Sequence, residues 1–471
     1  MNQIPSLTTR SRSLRALRVA AASAVLAGAF TSAARADEPA AAPTTQELLD
    51  QIRLLQQQVE AMKRADAPAS APAAPVAESA DALGAVLEDA RARAGATPVM
   101  LMQEDAAPFV AGHNGKFILA SPDGDFTLNP NFQLQLRYVA NLRGEDGDSF
   151  DDLDTGFEIR RTKVGFKGNA FGPDLKYDIK FAFSRDGGDA TLENAFIDYA
   201  PDELFGQSNV GLRAGQFKDI TFFEETVSSS KQLAVDRSIV NESIGGGNTD
   251  FIQAAGPTFS GEKWEAMLLY TDGANTDNTP WADVNWEYGV AGRLDITAMG
   301  DPDAVSGDFT ALGAEENSAR VGAGFHFAGI GDSRTLWHTV DAQYETEQGL
   351  GLFAAYFGRW GESDGEDAFD IGGLLQASQM VGEDWEVFGR YGFIIFENDV
   401  VLGEGEDAED FFHEITAGVN RYWNKHNLKL TIDAVYLPNG NPGSNSGIGL
   451  RSSDGEFDDQ VAIRGQIQLL L

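Results

Sequence analysis

The stretch LKLTIDAVY, residues 428–436, alternates apolar and polar side chains at every position. Lys429, Thr431 and Asp433 separate its apolar residues. Because successive side chains of a β-strand point to opposite faces, one face of this segment is apolar and the other is polar. The same alternation recurs at 176–183, 210–215 and 461–469. We therefore predict strands that separate an apolar phase from water.

Sixteen short segments of alternating hydrophobicity, punctuated by Gly, Asn and Asp, follow one another between 131–142 and 456–471. An even number of alternating strands is typical of a transmembrane β-barrel. A soluble β-sandwich shows the same alternation but does not need sixteen strands. We predict an all-β fold, a transmembrane antiparallel β-barrel of about sixteen strands over residues 114–471, preceded by a short N-terminal coiled-coil helix.

The connections between the predicted strands differ at the two ends of the barrel. Those after even-numbered strands are mostly short, as at 168–174, 346–350 and 424–425. Those after odd-numbered strands are mostly longer and acidic, as at 143–154, 361–367, 402–410 and 438–455. The asymmetry is typical of outer-membrane barrels. The long 298–316 connection breaks it, which implies either a miscounted strand or an unusual turn.

The N-terminal residues 1–36 are typical of a cleaved secretory signal peptide. Arg10, Arg12, Arg15 and Arg18 precede an apolar core at 19–30 and a small-x-small site at 34–36. About a dozen apolar residues are too few to cross the roughly 30 Å hydrocarbon core as a helix. We expect export and a location in a bacterial outer membrane.

Residues 37–64 contain a short heptad pattern, and residues 65–113 form an Ala/Pro-rich linker. The seam positions of the heptads are Leu48, Ile52, Leu55, Val59 and Met62. Two to three heptads are too short to be stable alone, which favours a stalk of several chains. A short amphipathic helix lying on its own barrel is the alternative.

Composition excludes several functional classes. A formal net charge of −37 disfavours nucleic acid as a partner. The chain has no cysteine, which excludes disulfides and thiolate metal sites. The five histidines form no ligand pair such as HExxH, and GxSxG, P-loop and dinucleotide motifs are absent. We therefore predict no enzyme activity, no cofactor and no defined metal site.

Four stretches together resemble the phosphate-selective porin family. They are NGKFILASPDGDFTLNPNFQLQLRY (114–138), GFEIRRTKVGFKG (156–168), VGLRAGQFKDITFFEETVSSS (210–230) and EITAGVNRYWNKHNLKLTIDAVY (414–436). The resemblance implies a sixteen-stranded homotrimeric porin, in contact with outer-membrane lipid and lipopolysaccharide. It also implies a third external loop folded into the lumen as a constriction, and small ions or phosphate as permeant solutes.

The residues expected to set selectivity lie on the lumen face and on that third loop. The strand count independently places the loop at 219–248, the longest connection after an odd-numbered strand. The candidates are Lys176, Lys180, Arg213, Lys218, Glu224, Glu225, Lys231 and Arg237. The basic members are compatible with a cationic eyelet, whereas balance by the acids would give a general or cation-preferring pore. The facing residues change parity between Ile159 and Val164, which indicates a β-bulge beside Arg160, Arg161 and Lys163.

The acidic loops support a different hypothesis, an envelope-tethering structural protein that binds divalent cations. Clusters such as Asp146 to Asp154 and Asp454 to Asp459 carry the acids. None of them follows the twelve-residue EF-hand spacing, and solvated loops remain the simpler interpretation.

Overall fold

The structure is a computed structural model that describes residues 109–471, except 114–116, 146–148, 186, 364, 398–409, 444–445 and 453–457. The expected signal peptide, the coiled-coil segment and the linker up to residue 108 therefore lie outside the described residues. Among the residues that are described, no helix is both long enough and apolar enough to span a bilayer.

Eighteen strands are present in the described residues. They are β1 Val110–His113, β2 Phe117–Ala120, β3 Thr127–Glu145, β4 Ser149–Asn169, β5 Leu175–Phe183, β6 Ala190–Tyr199, β7 Val210–Lys218, β8 Phe251–Gly261, β9 Trp264–Thr271, β10 Tyr288–Met299, β11 Ser318–Ile330, β12 Ser333–Glu345, β13 Leu350–Ser363, β14 Glu366–Val381, β15 Trp385–Ile395, β16 Phe411–Asn424, β17 Leu428–Leu437 and β18 Gln460–Leu470. Three short helices lie between β7 and β8: α1 Phe223–Thr226, α2 Ile239–Ser243 and α3 Gly246–Thr249.

The strands β3 to β18 form a closed barrel. Each pairs antiparallel with the next in the chain, and β18 returns to pair with β3 from Gln460↔Arg143 to Leu470↔Gln133. The prediction of a sixteen-stranded antiparallel barrel is confirmed. β1 and β2 form a separate hairpin that meets β3 only at Leu119↔Leu128 and Ala120↔Thr127, and β1 lies inside the stretch that the sequence assigned to the linker.

The pattern of side-chain burial is the reverse of that in a soluble protein, because polar side chains are buried and apolar side chains are exposed. In β17, Lys429, Thr431 and Asp433 are buried, whereas Ile432 between them is 45% exposed. The outer surface is thus apolar, as contact with lipid requires, and the polar face points to a filled interior. The alternation expected for 428–436 is confirmed.

Two expected connections were wrong. The sequence assigned 143–154 and 361–367 to long external loops, but β3 runs to Glu145, β4 begins at Ser149, and β13 and β14 extend to Ser363 and from Glu366. Strand pairing continues through these acidic stretches, for example at Arg143↔Asp152. Asp152 and Asp154 both form ion pairs with Arg451, so opposite charge compensates their acidity.

The bulge expected in the second barrel strand is confirmed. The register between β3 and β4 shifts so that Gln135 is opposite Arg161 and Leu136 is opposite Ile159. Arg160 is the extra residue, and the facing parity therefore changes at this point. As a result Arg161 and Lys163 point into the barrel. They share this inner face with the even-numbered residues of β5, such as Lys176 and Lys180.

Candidate functional site

The connection between β7 and β8, residues 219–250, folds into the barrel and is called the inward loop below. Its three helices are short, and only α2 has a side-chain N-cap, Ser238 accepting from the Asn241 N–H at 3.2 Å. The loop is held by packing instead. Phe222 stacks on Phe357 of β13 with ring centroids 5.1 Å apart, and Val240 is fully buried.

Glycines on the facing wall make room for this loop. A Cβ built on Gly372 of β14 would lie 2.5 Å from Val240 Cγ1, and one on Gly392 of β15 would lie 2.9 Å from Val240 Cγ2. Real side chains do not approach so closely, so α2 rests directly on the backbone of these two strands.

Polar side chains of the barrel wall form hydrogen bonds with backbone groups of the inward loop. Asp433 accepts from the Val235 N–H and Glu414 from the Ile239 N–H, both at 2.8 Å. Lys429 donates to the Gln232 carbonyl at 2.8 Å. Because a buried backbone group without a partner is costly, these bonds fix the loop against β16 and β17.

One carboxylate of the loop binds three arginines of the barrel. Asp236 lies 2.7 Å from Arg160 Nε, 2.8 Å from Arg161 Nη2 and 3.1 Å from Arg137 Nη1. Burial alone would raise the pKa of Asp236, but the arginines outweigh it and hold that pKa well below its usual range. The middle of the loop is thereby tied to β3 and β4.

A second connection also folds inward, the residues 300–317 between β10 and β11, here called the inner turn. This is the 298–316 stretch that broke the expected asymmetry; the strand count is correct and the turn is unusual. Its Phe309 is buried against Phe223 of the inward loop and Phe353 of β13, with ring centroids 5.6 and 4.8 Å apart. Asp308 lies 3.2 Å from His426 and 3.9 Å from Lys231.

Since the inward loop covers the wall formed by β13 to β18, open space remains beside β4 to β7. A central cavity of about 300 Å³ lies there, bounded by Ile220, Thr226 and Ser228 of the loop. Its charged lining residues are Lys163, Lys167, Lys180, Glu193, Arg213 and Lys218. The cavity thus has five cations and one carboxylate on its surface.

A second cavity of about 420 Å³ shares Arg213, Ile220 and Thr226 with the central one. It lies toward the end of the barrel with the short turns, because Asp174 and Lys176 at the start of β5 line it. Its charged lining residues are Asp174, Lys176, Asp198, Arg213, Glu265, Arg293, Asp295 and Arg320. Four cations and four carboxylates balance here, so the basic excess is confined to the central cavity.

The sequence-predicted site residues divide into three groups. Lys180, Arg213 and Lys218 line the central cavity, and Lys176 lines the second one. Glu224, Glu225 and Arg237 are buried within the inward loop. Lys231 lies on the other side of the loop, near Asp308.

The buried group stabilises the loop. Glu225 lies 3.0 Å from Arg237 and 2.8 Å from Lys218. Glu224 accepts from the N–H and the hydroxyl of Ser238 at 2.8 and 2.7 Å. Arg237 also donates to loop carbonyls, including that of Val227 at 3.0 Å. These three side chains hold the loop's shape rather than line the open space.

Sequence reasoning missed Glu193 and Phe196, did not predict that the 298–316 connection folds inward, and left Lys163 and Lys167 unplaced. The parity change was the available signal for the two lysines, since a bulge at Arg160 turns Lys163 and Lys167 inward. No comparable signal marks Glu193, whose position depends on an irregularity in the β5–β6 register between Lys180 and Phe181.

Comparison with known proteins is consistent with this geometry. The family model described as phosphate-selective porin O and P matches residues 131–316. The match and the closed barrel together indicate an outer-membrane channel of the porin type. The resemblance seen in the sequence is thereby confirmed, and the family together with the fold indicates an outer-membrane channel rather than an enzyme. No curated protein sequence matches this porin.

Solved structures share the fold of this porin at low sequence identity. An anion-selective porin from Comamonas acidovorans is 14% identical, covers 74% of this chain and 100% of its own, and has a TM-score of 0.50. OprB of Pseudomonas putida, in its high-pH structure, is 8% identical, covers 74% and 95%, and has a TM-score of 0.51.

Proposed function

We propose that this porin is a weakly anion-preferring diffusion channel whose permeation path follows the wall formed by β4 to β7. The observation that carries the proposal is the lining of the central cavity, with five cations and one carboxylate. A pore selects by the charges at its narrow part, so the net charge of −37 does not set the preference. The match to a family described as phosphate-selective supports an anionic solute.

The preference is weak because most of the cations have acidic partners. Lys167 lies 2.9 Å from Asp178, Arg213 lies 2.6 Å from Asp198, and Lys218 lies 2.8 Å from Glu225. Lys163 pairs with Glu193. Lys180 is the remaining cation, and no carboxylate of the described residues lies within ion-pair distance of it. A dedicated phosphate site needs several converging donors that are free to bind phosphate.

The test is the reversal potential of the refolded porin in a planar bilayer under a KCl gradient. We expect chloride to permeate better than potassium by a modest factor, with no saturating block when phosphate is added. A preference for potassium would contradict the proposal and favour the charge-balanced pore. Tight block by phosphate would show that the pore contains a specific phosphate site and is not merely weakly selective.

The assembly and export of the porin belong to the same proposal. We propose a homotrimer in contact with outer-membrane lipid and lipopolysaccharide, exported by cleavage after residue 36. The exposed apolar side chains around the barrel, such as Leu136, Ile463 and Ile467, support burial in lipid or against neighbouring subunits. Mass spectrometry of the mature chain tests the cleavage site. Cross-linking with and without residues 44–64 tests the trimer and the role of the heptads.

A further inference from the structure

An apolar wall accompanies the cations along the proposed permeation path. In the central cavity it consists of Phe196, Phe217 and Ile220. Phe196 and Phe217 form an edge-to-face pair with ring centroids 5.5 Å apart. The wall continues into the second cavity through Ile220 and Phe223 of the inward loop and Met267 of β9. Phe217, Ile220 and Phe223 are largely buried, so the partly exposed Phe196 and Met267 provide most of the apolar surface that the two cavities offer.

Arg213 joins the two surfaces. Its guanidinium carbon lies 4.5 Å from the centre of the Phe196 ring and 5.3 Å from that of Phe217. Its donors face Asp198 at 2.6 and 2.7 Å. The guanidinium lies over aromatic rings at the point that both cavities share, a geometry that places a planar cation next to apolar lining.

Hydrated inorganic anions gain nothing from such a wall, because chloride and phosphate have no apolar surface to remove from water. An anion that carries a ring gains from both surfaces at once. Its carboxylate lies toward Lys180, for which no carboxylate of the described residues is within ion-pair distance, and its ring lies on Phe196. The volume of about 300 Å³ is within the range of small-molecule sites.

We propose that the central cavity is a binding subsite for aromatic monocarboxylates, and that Phe196 determines this specificity. The inference rests on the proposed anion preference and names the class of organic anion that the channel favours. Phe196 is the residue that the sequence cannot assign, because it becomes part of the cavity only through the position of the inward loop.

The experiment measures channel block in planar bilayers with the full porin in KCl. Benzoate is the probe, acetate supplies the same charge without the ring, and benzylammonium supplies the ring with the opposite charge. We expect half-block by benzoate at a concentration about ten-fold below that of acetate, as burial of part of one ring on apolar side chains implies. Benzylammonium should not block in this range.

Substitution of Phe196 tests the assignment. In Phe196→Ala the half-blocking concentration of benzoate should rise about five-fold while that of acetate stays constant. Phe196→Leu, which keeps an apolar side chain, should fall between the two and guards against misfolding of the alanine variant. Phe157→Ala is the matched control, since Phe157 is 78% exposed on the outer surface of β4.

The outcomes separate this inference from the proposed function. Equal block by benzoate and acetate, in a channel that still prefers chloride, overturns the subsite and leaves the anion channel intact. Equal block by benzoate and benzylammonium also overturns it, since the ring alone would then suffice. A preference for potassium in KCl on the same membranes defeats the proposed function itself.

Discussion

The side chain of Val240 occupies the space that a side chain at Gly372 would need: a Cβ at Gly372 would lie 2.5 Å from Val240 Cγ1. This contact joins the inward loop to the part of the barrel wall that lies away from the proposed permeation path. Gly372 therefore allows the inward loop to pack against this wall, because any larger side chain there would collide with Val240.

Replacing Gly372 by Val should displace the inward loop. The added atoms collide with α2, and overpacking of this kind costs about 1–3 kcal/mol. We expect a larger single-channel conductance and a lower free energy of unfolding in urea. Gly389→Val is the control, because a Cβ there meets only Thr416 O at 3.9 Å. Unchanged conductance in the Gly372 variant would mean that the loop does not restrict the pore.

Removing the charge of Asp236 should loosen the same loop from the opposite side. Asp236→Asn leaves Arg137, Arg160 and Arg161 without their shared partner, and breaking a buried ion pair typically costs about 3–5 kcal/mol. Urea unfolding in micelles measures the loss. Asp384→Asn is the control, because the half-exposed pair of Asp384 with Arg421 is worth less than about 1 kcal/mol. Equal stability of the two variants would refute the anchoring role.

Stability should fall as the pH rises from about 4 to 7. Burial and nearby carboxylates raise the pKa of Glu242 and of Asp250 to about 7. The unfolded chain releases these protons near pH 4, so within this window the folded chain holds more protons and loses stability with rising pH. Urea unfolding at a series of pH values checks this. The double variant Glu242→Gln and Asp250→Asn should flatten the dependence, and an equally steep curve would exclude these groups as its cause.

Reversing the charge of Lys180 should reduce the anion preference more than the same charge reversal at a residue far from the central cavity. Lys180→Glu adds an acid to a cavity whose other cations have partners, and a unit charge a few Å from an ion is worth about 1 kcal/mol in water. Because the reversal changes the charge by two units, we expect the chloride-to-potassium permeability ratio to fall about thirty-fold, measured by reversal potential. Lys263→Glu at an exposed turn is the control. Equal shifts would show that long-range charge, not the cavity, sets the preference.

The barrel could be predicted from the sequence because strand alternation is local. Each segment such as 428–436 shows its period without reference to the rest of the chain, and the sixteen segments add up to a closed sheet. The inward loop could be located because it is long, but its contacts could not be predicted. Whether Glu225 lines the pore or pairs with Arg237 depends on where the loop meets the wall, and the sequence shows no pattern for that.

The inner turn and the bulge are two further features that local sequence patterns could not predict. The sequence left open whether the 298–316 stretch reflects a miscounted strand or an unusual turn, because a turn that fills the lumen has no periodicity of its own. Lys163 could not be assigned to a face because the extra residue, Arg160, shifts the pairing of β4 by one. In both cases the outcome depends on contacts with distant strands.

The most direct test of the permeation path uses the absence of cysteine in the chain. Thr226→Cys places a thiol where the two cavities meet, and Thr431→Cys places one on β17, whose neighbouring Lys429 and Asp433 bind the inward loop. Each variant is treated with an anionic methanethiosulfonate reagent while conductance is recorded. If ions pass along β4 to β7, conductance falls in Thr226→Cys and stays constant in Thr431→Cys. Loss of conductance only in Thr431→Cys would place the path on the opposite wall and contradict the central claim.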